Sequence, residues 1–234
     1  MPSQTTTRKR PRRKTPLTRE LVLRTAVALA DERGSEELTM RKLAKELGVE
    51  AMSLYNHVAN KDDELDGMVD LVLGDIEVPP SGTPWRAAMR ERALSAHDAL
   101  LAHPWAALQI MSRFNIGLGM TRYLDATLGR LREGGFSVEG ALDAWHTLDS
   151  HIYGFTLQEL GLPFDADEAP QVSADVLGQL DGGQYPHVVE TITHVMQSGR
   201  VEDFEFGLDL ILDGLERLLE TGTHLQRGAG PPSA

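Results

Sequence analysis

The 234-residue chain contains no cysteine at all, which removes disulfide stapling and thiolate metal ligation from consideration. A reducing, cytoplasmic setting fits that absence. No apolar run approaches the ~20 residues a membrane-spanning helix needs. The chain opens on polar and basic residues where a secretory signal would be apolar, so a soluble protein is expected. Aromatic residues are few, at 6%. No segment alternates apolar and polar residues as a strand does, and all-α architecture follows. The ExxH pairs of a helical-bundle metal enzyme are missing, so no catalytic site, cofactor or metal is expected.

Positive charge is scarce overall but concentrated. Net charge is −12, yet RKRPRRK at residues 8–14 carries six positive charges and no negative one. Residues 18–72 hold seven Lys or Arg against twelve Asp or Glu, and residues 73–234 hold ten against twenty-three. A basic arm ahead of an acidic body suits phosphate anchoring, because each neutralised phosphate releases counterions. The same arm would also serve as a solubilising tail.

What is present is helical periodicity. Val22, Ala26, Leu29 and Ala30 recur at helical spacing between Thr18, a capping residue, and Gly34, a terminator. Thr39 can cap a second helix that buries Leu43, Ala44 and Leu47 and stops at Gly48. A third short helix runs from about Glu50 to Val58 with only Leu54 and Val58 to seat it. Asn60 caps a fourth, with Asp62 and Asp63 in its first turn and Leu65, Met68, Val69 and Val72 as its buried stripe. The second and third helices, joined through Gly48-Val49, have helix-turn-helix spacing. Ala51, Met52, Ser53, Tyr55 and Asn56 are then free to face a DNA major groove, the alternative being a helical hairpin packed on another protein.

The tract LTMRKLAKELGVEAMSLYNHVANKDDELD resembles the amino-terminal signature of the tetracycline-repressor (TetR) family across residues 18–72. The resemblance implies an all-helical homodimer that represses transcription until a small molecule binds its carboxy-terminal domain. It also implies residue roles. Arg41 matches a base-contacting position and could bridge guanine O6 and N7, or else pair with Glu37. Ala51 and Met52 match base-reading positions but offer only apolar contact, as to a thymine methyl. Asn56 replaces an aromatic residue and could meet adenine or a phosphate. Tyr55, His57, Lys61 and the cap residue Thr39 are implied phosphate contacts.

A loop, EVPPSGTP at residues 77–84, separates this region from a helical remainder. Helices are expected over 84–102, 105–113, 121–132, 137–160, 186–198 and 202–220, with a loop over 164–171. The organisation is thus a basic arm (1–17), a DNA-binding domain (18–72), an effector-binding and dimerisation domain (83–221) and a disordered tail (222–234). The start of the long helix, GFSVEGAL, resembles the ligand-binding core of tetracycline-binding family members, in which a histidine and a glutamate help hold a magnesium–tetracycline complex. Met111 and Gln158 stand at the matching positions here, and neither suits a hard cation; a one-residue gap would bring Glu159 into play instead. Tetracycline is therefore not the expected effector. Trp105, Met111, Phe114, Trp145, Asp149, Ile152 and Tyr153 are the candidate pocket residues, mostly apolar walls with a few polar groups. His146 and Asp149 share a helix face that His151 leaves, which argues against a metal site there.

The last helix carries the stripe Phe204, Leu208, Ile211, Leu212, Leu215, Leu218 and Leu219, with Phe206 and Leu210 off it. Two apolar faces call for a four-helix bundle made by two copies, with Phe204, Leu208, Ile211, Leu212 and Leu215 as interface candidates. Twofold symmetry would set two recognition helices about 34 Å apart on a palindromic operator. The expected partners are operator DNA, a second copy and a largely apolar small molecule. A regulator answering to a protein partner, or to no effector, is the alternative.

Overall fold

The computed structural model describes residues 16–112, 117–162, 168–180, 183–198 and 203–222, and among these there are α-helices and no strand. The basic run at 8–14, Phe114 and the tail beyond Gly222 lie outside the described residues. The chain forms two compact units, one reaching to Glu64 and the other beginning at Leu65.

The first unit comprises α1 (Arg19–Arg33), α2 (Met40–Leu47), α3 (Ala51–Leu54) and the first turn of α4 (Lys61–Asp75). Thr18 Oγ1 accepts the Leu21 N–H at 3.1 Å and Thr39 Oγ1 accepts that of Lys42 at 3.2 Å, so both expected caps form. Gly48 adopts φ 64, a left-handed turn that a side chain resists, and this reverses the chain between α2 and α3. Val22, Ala26, Leu43, Leu54 and Val58 are fully buried. The third helix is shorter than its expected span. It ends at Leu54, after which the Leu54 carbonyl accepts the N–H groups of both His57 (2.8 Å) and Val58 (3.0 Å). This tightened turn drives Val58 into the core while leaving Tyr55 and Asn56 outside.

The second unit contains α5 (Trp85–Ala102), α6 (Pro104–Ser112), α7 (Leu118–Glu133), α8 (Val138–Leu160), α9 (Ala169–Leu177), α10 (Pro186–Ser198) and α11 (Phe204–Thr221). The long helix α8, capped by Ser137, packs against α5, α6, α7 and α11, so its residues form the middle of the unit. Alanines at 88, 93 and 96 of α5 and at 141 and 144 of α8 are buried, and their small side chains allow close helix approach. Helix α9 replaces part of an expected loop. The acidic, proline-bearing stretch reads as irregular to Gln171, but Pro170 sits in the first turn of a helix, where its missing N–H has no partner to lose.

Helix α7 starts three residues before its expected first residue, Thr121, because α4 supplies its cap: Asp70 Oδ1 accepts the Met120 N–H at 2.9 Å. A Cβ at Gly117 would lie 2.1 Å from Asp70 Oδ1, and one at Gly119 would lie 2.1 Å from the Asp70 carbonyl oxygen. The two glycines are what let the start of α7 sit against the backbone of α4.

On α11 the structure corrects the expected interface. Phe204, Leu208, Leu212 and Leu215 are buried within one protomer and Ile211 is half-buried, because α11 lays that stripe on α5 and α8. The residues left outward are Phe206, 64% exposed, and Leu210, 56% exposed.

Candidate DNA interface and effector site

In the first unit the short α3 presents Met52, 76% exposed, Tyr55, 47% exposed, and Asn56, also exposed, while Ala51 and His57 are half-buried. Arg41 stands exposed on α2, with no hydrogen bond or ion pair among the described residues. Glu37, its alternative partner, is taken by Lys42 at 2.9 Å, and that bond lowers the Glu37 pKa. Thr39 keeps its hydroxyl proton, since the cap uses only the oxygen as acceptor. Lys61 is a different case. Its ammonium donates to the carbonyls of Leu38 (2.9 Å) and Ser35 (3.4 Å) and is partly buried, with a pKa lowered by that burial. Lys61 fastens the α1–α2 connection, and one N–H is left for a phosphate.

A brace missed in the sequence holds this surface. Arg19 grips the Asp63 carboxylate with both terminal nitrogens (2.6 and 3.0 Å) and the His57 carbonyl with one of them (2.6 Å). Asp63 in turn accepts the Ala59 N–H at 2.7 Å. The hydrogen bond to Arg19 holds Asp63 below its ordinary pKa. Arg19 and Asp63 lie 44 residues apart and at opposite ends of the domain, so no local pattern announces the pair.

In the second unit the expected pocket residues separate. Asp149 and Ile152 are buried and Trp145 and Tyr153 half-buried on α8; Trp105 is buried on α6. Met111 is 60% exposed, so within one protomer it is not a pocket wall. The groups that join Asp149 are two that sequence reasoning did not select, Arg92 of α5 and Tyr123 of α7. Arg92 Nη2 donates to both Tyr123 Oη and Asp149 Oδ1 in close contacts, and its guanidinium carbon lies 4.8 Å from the Tyr123 ring centroid. Burial raises the Asp149 pKa against the opposing pull of Arg92. For Arg92, burial works against the charge, but the Tyr123 oxygen and Asp149 outweigh it, and the net shift is upward. The signal was available: Arg92 lies among Ala88, Met89, Ala93 and Ala96, a charged residue on a buried stripe.

A cavity of about 630 Å³ opens elsewhere, lined by His97, Asp98, Phe155, Glu159, Phe204 and Glu205 among others, and by none of the expected pocket residues. Phe204 stacks between His97 and His151, at 4.1 and 4.9 Å. Thr156 donates its hydroxyl proton to the Ile152 carbonyl at 2.6 Å, so toward His97 Nδ1, 2.8 Å away, it must accept; this assigns the proton to Nδ1. His97 Nε2 then faces Glu159 Oε2 at 3.3 Å, with burial pushing the His97 pKa down. Glu159 Oε2 thus faces the ring of a neutral His97 without a hydrogen bond, and Gln158 is exposed. Among the described residues no three His, Asp or Glu side chains converge as metal ligands.

The sequence matches "Bacterial regulatory proteins, tetR family" over residues 22–65 and "Tetracyclin repressor-like, C-terminal domain" over residues 78–219. The chain belongs to the TetR family. Its helix-turn-helix unit and its helical second unit are those of a ligand-responsive transcriptional repressor. It is 33% identical to the HTH-type transcriptional repressor DrrR1 of Streptomyces coeruleorubidus, over 91% of this chain and 83% of that one. It is 30% identical to the class C tetracycline repressor protein of Escherichia coli, over 90% and 95%. In three dimensions it resembles apo ActR from Streptomyces coelicolor with a TM-score of 0.73 and 30% identity, covering 89% of this chain and 99% of that one. ActR structures in complex with (S)-DNPA and with actinorhodin match at TM-scores of 0.71 and 0.67. No helix among the described residues is long and apolar enough to cross a membrane.

Proposed function

We propose that the chain is a cytoplasmic homodimeric repressor that holds a palindromic operator through α2 and α3 and releases it when a small molecule occupies residues 83–221. The observation that carries this reading is the face of α3: Leu54 and Val58 seat the tract in the core, whereas Met52 and Tyr55 stand open with no use in the fold. Arg41, Ala51, Met52 and Asn56 are the base-facing residues; Thr39, Tyr55, His57 and the remaining Lys61 proton meet phosphate. The amino-terminal arm adds sequence-independent affinity. DNA recognition belongs to residues 18–72, and the outward apolar residues of α11 and α8 support pairing of two copies. ActR, with its actinorhodin complex, supports an effector with a largely apolar, aromatic body.

The test is selection from a random DNA pool by the purified protein. An inverted repeat with half-site centres about 34 Å apart is the expected product. Enrichment of no sequence, or of a single unrepeated site, would refute the dimeric helix-turn-helix reading.

A further inference from the structure

We infer that the effector carries an oxyanion, a carboxylate or an acidic phenol, on an aromatic body, and that Arg92 receives it. This rests on the reading of the second unit as an effector-binding domain, and names the chemistry that domain selects.

A guanidinium offers five N–H donors. Arg92 is fully buried, and only Nη2 is engaged, by Tyr123 and Asp149; Nε and Nη1 have no hydrogen-bond partner. Three N–H groups of a charged side chain are thus turned toward protein interior unpaired. Leaving buried donors unmade is costly, and more so when the group is charged. The site cannot escape by neutralising itself, because a guanidinium stays protonated and Asp149 lies beside it as counter-ion. What it offers a ligand is therefore unpaired, charge-assisted donors.

The surroundings define the rest of the ligand. Trp145 and Tyr153, each one helical turn from Asp149 on α8, are half-buried and close enough to act on its charge. They give the cluster an aromatic flank that is not sealed. Asp149 is the cluster's single carboxylate and already faces Arg92, which leaves little to attract an amine. An oxyanion fits by accepting from Nη1 or from Nε, which lie on different edges of the guanidinium, each as a single charge-assisted bond.

The test uses the intact homodimer and three probes of one size: 2-anthracenecarboxylate, alizarin as the acidic phenol, and 2-(hydroxymethyl)anthracene as the neutral control. Binding is read by quenching of tryptophan fluorescence, and operator release by anisotropy of labelled DNA. Either or both anionic probes should bind about tenfold or more tighter than the alcohol, and which of them does identifies the kind of oxyanion. Arg92→Met should erase the difference. Because that variant could fail to fold, Asp149→Asn is paired with it. Removing the carboxylate that competes for the guanidinium should tighten the anionic probe and leave the alcohol unchanged. Equal binding of acid and alcohol, a preference that survives Arg92→Met in a folded protein, or no gain in Asp149→Asn would each overturn the inference, as would failure of all three probes to bind. Operator release by the neutral alcohol would overturn the anion requirement while leaving the ligand-released repressor intact. An unliganded protein that never binds operator would instead defeat the repressor reading itself.

Discussion

Replacing Phe206 and Leu210 together by Asp should separate the dimer without unfolding the protomer. Burying a whole Phe or Leu side chain is worth about 1.5–3 kcal/mol relative to leaving it in water. Phe206 is 64% and Leu210 56% exposed in one protomer. About 1–2 kcal/mol per side chain therefore remains to be gained at an interface. An isologous contact uses each residue twice, so four side chains contribute about 4–8 kcal/mol, or roughly three to six decades in the dimer dissociation constant. The entropy of association is common to the parent and the variant and drops out of the difference. Light scattering across a dilution series measures this directly. Circular dichroism should show unchanged helix content, since both side chains stand mostly outside the protomer's core. Leu208→Asp is the contrast: it places a charge at a fully buried position and should unfold the second unit. A double variant that remains dimeric at micromolar concentration would refute the assignment of this face.

Three further outcomes are expected. Arg41→Ala should cost about 1–3 kcal/mol on operator DNA and relax preference at one base pair per half-site, as read by binding to a panel of single-base variants; equal weakening on random DNA would show that Arg41 meets only phosphate. Lys61→Ala should lower the melting temperature in the absence of DNA, because two carbonyls of the α1–α2 connection lose their donor, at about 1–3 kcal/mol; an unchanged melt would return Lys61 to a purely phosphate role. Removing residues 1–15 should weaken binding to all sequences and reduce the slope of log K against log salt by several units, about 0.9 for each phosphate the arm neutralises, with sequence preference kept.

The amino-terminal third was legible because its signals are local. A cap residue, a helical period and a terminating glycine fall within ten to fifteen residues of each other, and Thr18, Thr39, Asn60 and Gly48 all act where the pattern puts them. The end of α3 was not legible, since two consecutive residues competing for one Leu54 carbonyl leave no compositional trace. On α11 the error was one of sign. A full apolar stripe reads the same whether it faces its own chain or another copy, and only the packing of α5 and α8 decides which. The second unit was legible in part. Trp145, Asp149 and Tyr153 share α8 as the pattern puts them, while the groups that Asp149 meets are a buried arginine and a tyrosine from two other helices, which were not selected. Their convergence is a long-range fact, with Arg92 and Asp149 separated by 57 positions.

What remains is how occupancy of the second unit can be felt at α3. Helix α4 is the covalent bridge, because its first turn belongs to one unit and the rest of it to the other. Inside the second unit it is not free to move alone. Asp70 caps α7 through the Met120 N–H, and Gly117 and Gly119 press α7 against α4 so closely that no side chain fits between. Tyr123, one turn further along α7 from that junction, is the residue that Arg92 grips. A ligand that draws on Arg92 therefore acts on the same helix whose start is tied to α4. Proximity of this kind transmits nothing by itself. A ligand shifts an equilibrium only by the difference between its affinities for the two conformations, however tightly it binds either. Moving the dimer from almost wholly DNA-competent to almost wholly released takes about 5.5 kcal/mol of such difference. Two symmetric sites need supply only about half of that each, and a charge-assisted bond to a buried guanidinium, made in one conformation and absent in the other, is of that order.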